Sequence, residues 1–196
     1  MNDQSNTKSQ RKWASFPYAR RAEEARLAHE EAHRAFRVMN RRHDDTDPAT
    51  KAWNSALERF RAAMAVVYPP GFWVAYENLP NGDQDSIEAA IAFLEADPWF
   101  FRSGDVKADL IRQLKRLPLS HDQASRLRQV VLNLVDQRDG REFRWYCRLA
   151  RHIDGPDLRN QLERRLRDAN GNVRRRAGWV LDVLGPDPAV RAKRSR

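Results

Sequence analysis

A single cysteine, Cys147, stands in 196 residues. An internal disulfide framework is therefore excluded, and a lone thiol fits a reducing compartment, with the cytoplasm as the expected address. Only eight residues are glycine. That scarcity argues against a glycine-rich β architecture, and no glycine loop of the kind that cradles phosphate is present. Serine nucleophile motifs and paired cysteines at metal-ligand spacing are also missing. No apolar run approaches the roughly 20 residues needed to span a bilayer. The polar stretch Met1–Trp13 lacks the apolar centre of a signal peptide. These absences imply no cofactor and point away from catalysis.

Charge is abundant. The net charge is +9, with 32% of residues charged, a composition suited to helices with solvated faces. The excess is uneven. Arg141–Arg196 carries 15 basic and 7 acidic residues, whereas Asn81–Gly140 carries 8 and 10. A positive C-terminal end is what an acidic partner requires.

Taken in order, residues 1–16 are expected to form a disordered polar tail. Residues 17–68 read as a helical hairpin. Ala22, Ala25, His29, Ala32, Phe36 and Met39 alternate by three and four, as do Trp53, Leu57, Phe60, Met64 and Val67. Asp47 followed by Pro48 is an N-cap with proline at the first helical position. Residues 69–84, with Tyr68-Pro69-Pro70-Gly71 at their head, are expected to be an irregular linker. Further helices follow, opening near Asp85 or Ser86, at Ser103, and at Ser120 with Gln123 as a capping box. Phe143, Tyr146, Cys147, Ala150 and Ile153 form the inward face of the next helix. Residues 186–196 read as a basic mobile tail.

The most regular stretch is Leu158–Gly185. Leu158, Leu162 and Leu166 lie on one helical face. Asp168, Asn170, Gly171 and Asn172 supply a turn. Val173, Ala177, Val180, Leu181 and Leu184 form the face of a second helix, and Gly185-Pro186 stops it. Asp168, Val173-Arg174, Ala177 and Leu181 fall where a HEAT repeat has its acidic turn, Val-Arg pair, alanine and apolar position, so this stretch resembles that family. The resemblance implies a binding scaffold. Helical pairs starting near Asp85, Ser120 and Pro156 recur every 35 residues or so, a spacing at which helical-hairpin repeats occur. The expected fold is thus all-α, a helical hairpin followed by a short HEAT-like α-solenoid over residues 85–185.

Three constellations could carry chemistry. His29-Glu30-Glu31-Ala32-His33 matches HExxH, in which two histidines one turn apart bind Zn²⁺ and the glutamate acts as base. The charged neighbours Glu31 and Arg34 and the absence of a clear third ligand speak against it, and His29 lies on the hairpin seam. His29 and His33 thus remain weak metal candidates. The second is an arginine stripe, Arg141, Arg144, Arg148 and Arg151, spaced by three and four with Trp145 beside it. Arg174 and Arg175 extend it on the last helix. Phosphates or carboxylates could dock there, although such runs are often merely solvated. The third, Trp99-Phe100-Phe101, is expected to plug a junction between layers. The resulting expectation is a non-catalytic interaction module, first a protein-binding adaptor. The alternatives are a nucleic-acid-binding protein using the arginine face and, third, a zinc hydrolase.

Overall fold

The computed structural model describes residues 2–39 and 46–186. Among them every regular element is a helix and none is a strand. In chain order the α-helices are α1 (Asn2–Ala14), α2 (Tyr18–Val38), α3 (Pro48–Ala65), α4 (Phe72–Asn78), α5 (Gln84–Ala96), α6 (Ser103–Leu114), α7 (His121–Gln137), α8 (Phe143–His152), α9 (Pro156–Arg165) and α10 (Gly171–Leu184), with a 3-10 turn at Leu79–Asn81. No described helix is long and apolar enough to cross a membrane. The chain divides into two compact units. One holds the residues up to Asn78 and Asp83–Ser103; the other holds Leu79–Gly82 and the residues from Gly104 onward.

In the first unit, α2 and α3 pack as the seams anticipate. The His29 ring lies 5.2 Å from Phe60 and Phe36 lies 6.1 Å from Trp53, so the late end of α2 meets the early end of α3 and the pair is antiparallel. Asp47 caps α3 by accepting from the Ala49 amide at 3.2 Å. The core of this unit is α5, whose residues from Ser86 to Leu94 are all buried.

Several expectations are corrected here. The residues expected as a disordered tail include α1, which packs on α5. Trp13 is the cause. Its ring is 1% exposed, its indole N–H donates to Asp85 at 2.9 Å, and Lys12 reaches the same carboxylate at 3.1 Å. Ser9 donates to Asp85 as well. Asp85 therefore ties down α1, and the cap of α5 is Asp83, whose carboxylate accepts from the Ser86 amide and hydroxyl. The stretch expected as an irregular linker contains α4, which packs on α5 with Phe72 and Ala75 buried. Phe72, Tyr68 and Phe93 stack there with centroids 4.8–5.8 Å apart. Proline and glycine before Phe72 end one helix and start another, with Gly71 at φ +81°. Of the three aromatics expected as a plug, Phe100 is buried, while Trp99 and Phe101 are largely exposed. Helix α5, expected to open the repeat array, packs on α1, α2 and α4.

In the second unit, α7 opens with the capping box, Gln123 accepting from the Ser120 amide and Ser120 from the Gln123 amide. All five residues assigned to the inward face of α8 are buried. Leu158 and Leu162 are buried in α9, but Leu166, one residue past its end, is 42% exposed. Asn170 caps α10 and Gly185 closes it at φ +68°. Helices α7, α8, α9 and α10 pack on one another: α7 on α8, α9 and α10, and α10 on α8 and α9. The basic tail lies, from residue 187, outside the described residues.

Candidate functional site

Helix α8 places the stripe. Its turn from α7 is set by Glu142, which bonds Arg138 at 2.9 Å and folds over Gly140 so closely that a Cβ there would meet its carboxylate at 2.5 Å. The helix then buries Phe143, Tyr146, Cys147, Leu149 and Ala150. Arg141, just before it, and Arg144, Arg148 and Arg151 along it are left exposed on the opposite side. None of these four is in an ion pair among the described residues. Arg151 and His152 sit in the last turn, where the helix carbonyls favour cations.

Trp145 organises this face. The guanidinium carbons of Arg148, Arg144 and Arg112 lie 4.7, 5.2 and 5.5 Å from its ring centroid. Each is within reach of the ring's negative π face, which offsets some of the mutual repulsion of the cations. Arg112, from α6, does not belong to the stripe and could not be assigned to it by helical spacing. A second such pair stands on α10, where Arg175 lies 5.1 Å from the Trp179 ring.

Most arginines of the last two helices are committed elsewhere, whereas Arg164 and Arg167 are exposed. Arg174 donates to the Asp168 and Ala169 carbonyls at 2.6 and 2.9 Å, closing the turn of its own hairpin. Arg175 reaches Asp139 at 3.3 Å. Arg165 pairs with Asp136 at 2.7 Å, and that hydrogen-bonded carboxylate raises the guanidinium pKa. Arg176, buried, donates to the Val135 and Asp136 carbonyls at the end of α7. Arg159, also buried, forks onto Asp154 and donates to the Gly185 carbonyl at 2.8 Å. The sequence-derived set thus separates: Arg141, Arg144, Trp145, Arg148 and Arg151 form one face, and Arg174 is structural.

Between α8 and α10 a cleft of 620 Å³ opens beside the stripe. Phe143, Cys147, Trp179 and Val183 supply its apolar lining, Arg141, Arg144 and Arg148 its basic rim, and Asp139 and Asp182 its acidic border. Phe143 and Trp179 meet edge to face at 6.0 Å. Burial pushes the Cys147 thiol up to about 11, which disfavours its thiolate at neutral pH. A second depression, of 540 Å³, continues the face through Lys115, Arg148, Arg151 and His152. His152 Nε2 lies 3.3 Å from the Leu117 carbonyl. Trp179, Val183 and Arg112 escaped the reading of the sequence. Only Trp179, one turn after Arg175, left a signal there.

In the HExxH segment both glutamates are paired with arginines. Glu30 is held by Arg26, and Glu31 by Arg59 at 2.7 Å. The His29 ring stacks on Phe101 at 5.0 Å and sits 6.4 Å from that of His33. Among the described residues, no group of three or more histidine, cysteine, aspartate or glutamate side chains could hold a metal ion. The chain matches no known family model, and comparison with curated proteins and with solved structures returns no significant match.

Proposed function

We propose that this chain is a non-catalytic helical interaction module, a protein-binding adaptor of the cytoplasm that receives an acidic protein partner on the α8 face. The observation that carries this reading is the sorting of the arginines. Those of α9 and α10 are largely engaged by carboxylates and carbonyls of their own unit, whereas Arg141, Arg144, Arg148 and Arg151 are exposed without a carboxylate. Guanidiniums held in place by a ring lose less freedom on binding than solvated ones, and they present paired donors that match carboxylates. The HEAT-like reading is supported by the way the last helices pack, α7 on α9 and α8 on α10, as the first and second helices of successive hairpins do in a stacked array.

Nucleic acid is the second reading, favoured by the exposed Trp179 and by Trp145 among three guanidiniums, since bases stack on such platforms. The test is an anisotropy titration near physiological salt, where the Debye length is about 8 Å. Glutamate-rich peptides and single-stranded oligonucleotides are compared on the wild type and on the double variant Arg144→Glu, Arg148→Glu. Peptide binding abolished by the double variant is expected. Tighter binding of oligonucleotides, with a steep salt dependence removed by the same variant, would replace the adaptor with a nucleic-acid-binding protein.

A further inference from the structure

We infer that the α8–α10 cleft is an anchor pocket, taking one large apolar side chain from an acidic segment of a partner protein. This rests on the adaptor reading and adds what the partner must look like. An arginine stripe alone would bind any anion, and it needs no cavity. Here the stripe borders a cleft whose 620 Å³ lies within the roughly 300–1,000 Å³ of ligand-binding sites. Its walls are apolar on both helices: Phe143 and Cys147 from α8, Trp179 and Val183 from α10.

Trp179 is 42% exposed. Its ring contacts Phe143 and Arg175, which fix its orientation while, among the described residues, the wall stays partly open. Fixed aromatic walls beside arginines are what hot-spot pockets of interfaces are made of.

The rims are charged differently, and this orients the occupant. Arg141, Arg144 and Arg148 lie on the α8 side, where the one carboxylate, Asp139, is already paired with Arg175 and Arg176, and Asp182 lies on the α10 side. A segment crossing the cleft would direct its carboxylates to α8 and turn neutral or basic residues to α10. An extended or helical segment with acidic residues flanking one leucine, phenylalanine or tryptophan satisfies both rims. The phosphates of a nucleic acid crossing the cleft would meet the Asp182 carboxylate.

The experiment uses two fluorescein-labelled peptides of alternating glutamate and serine, identical in charge, one carrying a central leucine and the other serine in its place. Each is titrated by anisotropy against the full chain. Burying the leucine should tighten binding by about tenfold or more. Val183→Phe, which fills the cleft, and Trp179→Ala, which removes its wall, should each abolish the difference between the peptides while leaving the weaker, arginine-dependent binding of both. Trp179 is exposed enough for its replacement to leave the fold intact, as circular dichroism would verify. Equal affinity of the two peptides for the wild type would overturn the anchor pocket but leave the acidic partner standing. A leucine preference that survives both variants would also overturn it. Failure of both peptides to bind would overturn the adaptor reading and the pocket with it.

Discussion

Replacing Trp13 by alanine should release α1 from α5. The helix is polar, and 13 residues are too few to hold a helix in water without tertiary contacts. Its docking therefore depends on Trp13 and on Ser9 and Lys12, which converge with it on Asp85. A buried tryptophan removes roughly 150–250 Å² from water, about 4–6 kcal/mol at 25 cal/mol per Å² and an upper bound. Measured truncations of this kind cost about 3–5 kcal/mol. Even the lower figure corresponds to about a hundredfold change in the opening equilibrium. Hydrogen exchange read by mass spectrometry should accordingly quicken at least about a hundredfold over residues 9–14, or reach the rate of a free chain, while α7–α10 stay protected. Trypsin should then cut after Arg11 or Lys12 in the variant well before it does so in the wild type. The same clamp predicts a pH dependence. Burial acts to raise the Asp85 pKa, but the hydrogen bonds from Ser9, Trp13 and Lys12 and the Lys12 charge outweigh it and leave the pKa below its ordinary value. A carboxyl whose folded pKa is depressed stabilises above its unfolded pKa, about 3.9, and loses that contribution as pH falls through the folded value. Protection of α1 should thus fade under acid and do so less steeply in Asp85→Asn. Unchanged exchange in Trp13→Ala, or an α1 already unprotected in the wild type, would refute the reasoning.

Arg176→Met and Arg174→Met differ only in where the guanidinium goes. Arg176 is buried and satisfies two carbonyls at the end of α7, so its loss should cost about 3 kcal/mol in urea denaturation, against under about 1 kcal/mol for the exposed Arg174. Cys147 should react with iodoacetamide at pH 7.5 far more slowly than a free thiol, because burial pushes its pKa up to about 11. Zinc titration should give no stoichiometric complex that His33→Ala abolishes, since Glu30 and Glu31 are held by arginines; one zinc per chain lost in that variant would restore the hydrolase reading.

Local signals in the chain were sufficient wherever a few neighbouring residues decide the outcome. The Asp47 cap, the Ser120–Gln123 box, the α2–α3 seams and the inward face of α8 each depend on contacts a turn or two apart, or on a repeat of three and four, and each was legible. The arginine stripe was legible for the same reason. Contacts between residues far apart in sequence were not. Nothing near Trp13 announces Asp85, 72 residues on, so a polar segment with one aromatic reads as a tail. The aromatic run from Tyr68 reads as a linker until Phe93 supplies the surface that makes α4 worth forming. The sorting of the arginines was also beyond the sequence. Arg174, Arg175 and Arg176 are adjacent and identical in charge, but helical rotation sends Arg176 into the end of α7, Arg174 back to its own turn and Arg175 toward Trp179 and Asp139. Composition and spacing determine which residues share a helix face. Which of those faces remains charged, and which closes over an apolar cleft, depends on what the neighbouring helix brings against it, and that is decided only by tertiary packing.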